Sequence, residues 1–270
     1  MKVTRFDGKR ATKMTEHVQV EKANGVLAIT LARPKQRNAI TVAMYAAMAD
    51  AVESAASDAD VRVITIRGQG EDFTAGNDLM DFLADMPDPN SGADIPVWRF
   101  LRAMAKNQVP VVAAVHGNAV GIGTTMLFHC DLVVAEEGCR FVMPFVDLGL
   151  VPEAASSLIL PRLAGRRAAA KAILLGQPFG ADEALAMGLA SHVTPKGTLD
   201  AAFAKVVGAL LAKPPEAMRQ TQKLLRREAT EEILERMELE NGHFAERLAS
   251  DEVKQAIAAF FAARAKAPAA

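Results

Sequence analysis

Two stretches of the chain carry the residues best placed to do chemistry. Residues 61–79 read VRVITIRGQGEDFTAGNDL, and residues 109–131 read VPVVAAVHGNAVGIGTTMLFHCD. Each is an apolar, β-branched run that stops at a glycine-rich turn and restarts with helical spacing. Such a turn leaves backbone N–H groups free at a helix start. Two such turns side by side can aim two N–H groups at one oxygen anion, which is what stabilising an enolate or a tetrahedral oxyanion requires. A carboxylate stands downstream, in Leu148-Gly149-Leu150-Val151-Pro152-Glu153. Pro152, Ala154 and Ala155 give Glu153 an apolar setting that would partly desolvate it and raise its basicity, as suits removal of an α-proton. The same position also fits a first-turn carboxylate favoured by the helix dipole.

Other chemistries fit the residues less well. Gly68-x-Gly70 is followed by Phe73 and Gly121-x-Gly123 by Met126, where a dinucleotide-binding turn needs a third glycine for close helix packing. There is no GxxxxGK[ST] and no GxSxG. His17, His116, His129, His192 and His243 are scattered without zinc-ligand spacing, so no metal is expected. His129-Cys130-Asp131 is a run of adjacent residues whose side chains point different ways, and Cys130 reads as a buried thiol. Two cysteines, Cys130 and Cys139, in 270 residues fit a reducing compartment rather than a disulfide framework. A net charge of −1, with both signs interspersed, offers no general attraction to nucleic acid or an anionic membrane. The one basic cluster, Arg219, Lys223, Arg226 and Arg227, reads as the exposed face of an amphipathic helix. No apolar run approaches the roughly 20 residues that span a bilayer. Residues 1–15 are polar and charged with no apolar core of a signal peptide, and the reading is cytoplasmic.

The elements that must position the turns follow from periodicity. Residues 1–15 read as a flexible N-terminal extension. Residues 17–22 and 26–31 alternate about Ala23-Asn24-Gly25, a hairpin signal. Thr41 is placed to cap a helix running to about Ser57. Strands are predicted over 61–67, 109–115, 132–135, 140–142 and 190–193, with 109–115 too uniformly apolar to be half-exposed. Residues 85–96 read as a loop and 97–107 as a helix. A helix is also expected from Gly121 to about His129. Helical patterns then dominate: 154–163, 166–174, 181–187, 199–212, 215–227 and 231–265, the last broken near Ser250. Among the acidic residues, Asp78 is placed to cap the helix after the first turn. Asp147 reads as an ion-pair partner, and Glu71 and Asp72 as solvent-facing.

The order NAIT, FTAGNDL, VPVVAAVHGNAVGIGTTM, CD and PFVDLGLVPE resembles the crotonase (enoyl-CoA hydratase/isomerase) superfamily from about Val18 to Lys266. Residues 144–165 look most like its Δ3,Δ2-enoyl-CoA isomerase branch. The resemblance implies an α/β crotonase-like ββα spiral core over residues 16–197, holding the active site, and a C-terminal helical trimerisation region over 198–270. It implies an acyl-CoA thioester substrate and no cofactor beyond that coenzyme A. It also implies a homotrimer or a dimer of trimers.

By the same resemblance, the oxyanion N–H groups are those of Asn77 and Ile122, and Glu153 is the acid/base. The family's hydratases carry two water-activating glutamates; at those positions this chain has Thr125 and Phe145, neither able to exchange a proton at neutral pH. The coenzyme is expected along Lys35, Arg37, Ala39, Ala75, Gly76, Asp78, Leu79 and Gly121. Phe260, Phe261 and Lys266 are expected either to reach a neighbour's coenzyme or to pack a trimer. The expected activity is isomerisation of a 3-enoyl-CoA. Hydration of a 2-enoyl-CoA is the alternative, and a non-catalytic or RNA-binding crotonase-like protein is the remote one.

Overall fold

The computed structural model describes residues 11–13, 16–81, 94–227 and 229–266. Its strands are β1 (Ala11–Lys13), β2 (Val18–Ala23), β3 (Val26–Leu31), β4 (Val63–Gly68), β5 (Val111–Val115), β6 (Asn118–Val120), β7 (Leu132–Glu136), β8 (Arg140–Val142), β9 (Phe179–Gly180) and β10 (His192–Thr194). Its helices are α1 (Val42–Ser57), α2 (Pro96–Lys106), α3 (Ile122–Thr125), α4 (Ser156–Ala164), α5 (Arg166–Leu174), α6 (Ala181–Ala186), α7 (Leu199–Leu211), α8 (Pro215–Arg226), α9 (Ala229–Leu248) and α10 (Asp251–Lys266).

The main sheet runs in the order β1-β2-β3-β4-β5-β7-β10. β2 and β3 form the expected antiparallel hairpin; Asn24 and Gly25, at φ 52° and 81°, supply the two left-handed residues its tight turn needs. From β3 to β10 the strands are parallel. β5 lies mid-sheet and is buried at every residue, because its two faces serve two cores. Val111, Ala113 and Val115 join the core containing α1 and α2. Val112 and Ala114 join Val63, Val134, Leu199 and Val207 on the other face. Helix α7, part of the helical tail in the sequence reading, therefore covers the second face of the sheet. Thr41 caps α1 as expected, its Oγ1 accepting from Met44 N at 3.2 Å. The break near Ser250 is where α9 ends and α10 begins.

Three features differ from the expectations. Ala11–Lys13, placed in the N-terminal extension, pair with Gln19–Glu21 as an antiparallel edge strand, while residues 1–10, 14 and 15 lie outside the described residues. Of the loop expected at 85–96, residues 85–93 also lie outside, and Pro96 already opens α2, where its fixed φ suits the first helical turn. A second sheet, β6-β8-β9, was not foreseen as such. Its strands are only two or three residues long, too short for a period-2 pattern. It matters because β6 delivers the second glycine turn directly onto the first.

Candidate active site

The two turns are joined by backbone. Thr74 N donates to Asn118 O at 3.0 Å and Val120 N to Thr74 O at 3.1 Å. Gly76 sits at φ 87°, and a Cβ there would lie 2.7 Å from Val120 O, so only glycine allows the turns to close on each other. On the outer side, Ile40 N donates to Gly76 O at 2.8 Å and Asp78 N to Ile40 O at 2.9 Å. This parallel bridge uses the groups flanking Asn77 and leaves the N–H of Asn77 turned the other way. In the second turn Gly121, at φ 55°, donates its own N–H to Val142 O at 2.8 Å and starts α3. Ile122 is then the first residue of that helix, and its N–H has no intrahelical acceptor. Both N–H groups belong to residues lining one cleft.

That cleft has a volume of about 750 Å³. Its wall includes Lys35, Arg37, Ala39, Ala75, Gly76, Asp78, Leu79 and Gly121, all eight residues expected along the coenzyme, together with Asn77 and Ile122. Phe145 and Asp147 also line it, as do Leu248, Ile257, Phe260 and Phe261 from the tail. Phe260 and Phe261 thus close the chain's own cleft, because the turn at Ser250 folds α10 back over it. The side chain of Lys266 lies outside the described residues.

Glu153 does not line the cleft; it is enclosed behind it, 3% exposed. Its Oε1 accepts from Thr125 Oγ1 at 3.3 Å, and Thr125 ends the helix that Ile122 begins. Burial, and next the charge of Glu240, push the Glu153 carboxyl up to about 8, with the Thr125 hydroxyl pulling weakly the other way. Helix α4 does not start at Ala154. Ala154 and Ala155 are both left-handed, at φ 61° and 55°. A β-carbon makes that conformation cost about 1–2 kcal/mol per residue. The helix begins at Ser156, so Glu153 sits before it rather than in its first turn, and the dipole-favoured carboxylate is set aside. The strained pair is held from two sides. His129 Nε2 lies 2.9 Å from Ala154 O and donates to it, and the Glu240 carboxylate accepts from Ala155 N at 2.6 Å. Burial drives His129 down to about 4, so it stays neutral.

Three expectations for individual residues need correction, those for Asp72, Asp147 and Arg226. Asp72 is not solvent-facing but 4% exposed. It accepts from Arg37 Nε at 2.5 Å, Asn118 N at 2.8 Å and Asn118 Nδ2 at 2.6 Å, which ties the 33–38 loop to both turns. Burial alone would raise its carboxyl, but these donors hold it below the usual carboxylate range. Glu71 is exposed as expected. Asp78 caps the helical turn after it, accepting from Met80 N and Asp81 N, and its other oxygen pairs with Arg33 at 2.6 Å. Its carboxylate is thereby committed, so only its backbone is left to meet a coenzyme. Asp147 is exposed at the cleft and has no ion-pair partner among the described residues. Arg226, read as part of an exposed basic face, is turned inward onto Asp131 Oδ1 at 2.9 Å and the carbonyls of Met104, Asn107 and His129.

Sequence reasoning missed three residues. Tyr45, fully buried on α1, donates its hydroxyl to Asn77 Oδ1. Burial, then the charge of Glu153, raise that phenol. Its helical spacing with Met48 and Val52, both buried, makes it look like core. Asn38, left-handed and buried, donates from Nδ2 to Gln69 O at 2.8 Å and Asp72 O at 2.9 Å. An asparagine after Arg33-Pro34 in a loop is a signal for such a conformation. Glu240 lies about 90 residues from Glu153 in a helical pattern that gives no sign of it.

Two residues with N–H groups outside the backbone ladders line one cleft, and a buried carboxyl lies behind it, an arrangement able to form an enolate. Comparison with known proteins agrees in kind. The family model for enoyl-CoA hydratase/isomerase matches residues 21–267. The chain is 31% identical over 257 residues to 1,2-epoxyphenylacetyl-CoA isomerase of Escherichia coli (strain K12), covering 93% of this chain and 97% of that one. It is 32% identical to enoyl-CoA delta isomerase 2 of Rattus norvegicus, covering 94% of this chain and 65% of that protein. Among solved structures, an enoyl-CoA hydratase/isomerase from Pseudoalteromonas atlantica T6c superposes with a TM-score of 0.85 at 40% identity, over 94% of this chain and 100% of that one. The chain belongs to the enoyl-CoA hydratase/isomerase family, with the crotonase fold.

Proposed function

We propose that the protein isomerises a 3-enoyl-CoA to the 2-enoyl-CoA. The thioester carbonyl accepts from the N–H groups of Asn77 and Ile122. Glu153 takes a proton from C2, the charge spreads into a dienolate held by the two donors, and Glu153 returns the proton at C4. The acyl chain has to pass Ile122 toward Thr125 for this. No electron transfer and no water addition occur, so the chemistry calls for no cofactor beyond the coenzyme A of the substrate. Lys35, exposed at the cleft, supplies positive charge for its phosphates. Leu224 and Leu225 on α8 and Leu239 on α9 are exposed and support assembly into a trimer.

The observation that carries the reading is Glu153 itself: a buried carboxyl lifted to about 8, paired with Thr125 where a hydratase of this family would carry a second acid. A carboxyl of this kind is suited both to take a proton and to give it back near neutral pH. The test is turnover of 3-hexenoyl-CoA alongside hydration of crotonyl-CoA. Glu153→Gln preserves shape and removes basicity, so isomerisation should fall by roughly 10²–10⁴, and the parent should hydrate poorly. Strong hydration by the parent, undiminished in Glu153→Gln, would make the protein a hydratase using another acid.

A further inference from the structure

Glu240 lies on α9, far from Glu153 in sequence, and is only 5% exposed. Buried carboxylates need partners, and among the described residues its hydrogen-bond donors lie directly after Glu153, at Ala155 and Ser157. Its Oε2 accepts from Ala155 N at 2.6 Å; its Oε1 accepts from Ser157 N at 3.0 Å and Ser157 Oγ at 2.5 Å. Ala155 occupies the N-cap position of α4 and has no side chain able to cap. Glu240 supplies the cap from another helix. In doing so it fixes the second of the two left-handed alanines that separate Glu153 from α4.

We infer that Glu240 is a positioning residue for Glu153: the tail helix α9 clamps the Ala154–Ala155 turn and so aims the carboxylate past Thr125 toward the cleft. This rests on Glu153 being the base. Charge works in the same direction as geometry. Glu240 is the like charge that helps lift the Glu153 carboxyl, and a stronger base removes an α-proton more readily. The other groups facing this pair are accounted for. Thr125 on α3 donates to Glu153, and the buried phenol of Tyr45 on α1, which donates to Asn77, is raised by the Glu153 charge. His129 stands neutral across the Ala154 carbonyl, with Arg226 beyond it. Arg236 reaches Ser157 Oγ at 3.2 Å and steadies the Glu240 charge.

The experiment compares Glu240→Gln, Ser157→Ala and Glu153→Gln with the parent, measuring kcat, KM and the pH profile for 3-hexenoyl-CoA, with folding checked by circular dichroism. Glu240→Gln keeps an oxygen acceptor but loses the charge. It should lower kcat by roughly 10- to 100-fold, the range for a misplaced reacting group, and leave KM in place, because Glu240 does not line the cleft. The acid limb of the profile should move to lower pH by on the order of one unit, as removal of a like charge requires. A helix cap that served stability alone would leave kcat and the limb of the folded enzyme unchanged, and that result overturns the inference. If Glu240→Gln does not fold, Ser157→Ala decides. It removes one donor, so the charge at Glu240 is less well held, and the same changes should appear in smaller measure; an unaltered kcat and limb overturn the inference there too. Glu153→Gln separates the two levels. If it is inactive while Glu240→Gln behaves as the parent, only the positioning role is wrong; if it retains full turnover, the base assignment fails and the positioning role with it.

Discussion

Replacing Glu153 by glutamine should make the protein more stable, by an amount that grows with pH. The unfolded chain ionises this carboxyl at its ordinary 4.5, whereas the folded protein retains the proton up to about 8. Between those values the unfolded state releases a proton that the native state keeps, so stability falls as pH rises through that window; below it neither state is ionised, and above it the loss is complete. Each unit of displacement is worth about 1.4 kcal/mol, so the parent should lose on the order of 3 kcal/mol between about pH 5 and about pH 8 through this one group. Glu153→Gln cannot titrate. Its advantage over the parent should therefore be small at the acid end and about 3 kcal/mol at the alkaline end. Glu240 is also raised by burial, and the effect of its own burial is common to both proteins. Urea unfolding of both proteins at the two pH values, at one protein concentration because assembly would shift apparent stability, gives the number. A difference that stays level across the range would refute the reasoning: Glu153 would then not be a buried carboxyl held neutral by the fold.

Two further outcomes follow from the geometry. Ile122→Pro removes one of the two proposed oxyanion donors at the first helical position, where proline is best tolerated; turnover should fall by about 10²–10³, and a folded variant with full activity on an acyl-CoA would show that the N–H of Ile122 is not used. Arg226→Ala leaves Asp131 and the carbonyls of Met104, Asn107 and His129 without their shared donor, so unfolding free energy should drop by roughly 2–4 kcal/mol. A drop below about 0.5 kcal/mol would return Arg226 to the exposed basic face.

Much of the core was readable because its signals are local. The run 109–115 is apolar at every position, and the structure buries it on both faces; Thr41 stands one residue ahead of α1 and caps it. The glycine turns were readable for the same reason, since Gly76 and Gly121 are demanded by their own backbone angles. What escaped depends on pairings across distance. Strand β8 was expected over 140–142, but β6 and β9, which exist only by pairing with it, were not. Asp72 follows Glu71 and looks like half of an exposed acidic pair until Arg37 and Asn118 close on it. Tyr45 is indistinguishable in sequence from the core residues that share its helix face, and only the fold brings its hydroxyl to Asn77. Ala154 and Ala155 are good helix formers by propensity, and nothing in their identity announces that both are held left-handed.

That last pair shows how the tail and the site depend on each other. A turn with two left-handed alanines and a buried carboxyl is unfavourable by itself, and it persists only where surrounding contacts over-determine it. The contacts that do so come from opposite sides. His129 holds Ala154 from within the core, and its own carbonyl is gripped by Arg226 on α8; Glu240 on α9 holds Ala155. Helices that look in sequence like an appended bundle thus supply one restraint directly, through Glu240, and brace the other through Arg226. The Ala154–Ala155 turn therefore has its full set of contacts only when the tail is docked. Loosening α8 or α9 should show first in the pH profile of turnover, which follows Glu153, before the two sheets that carry the glycine turns are disturbed.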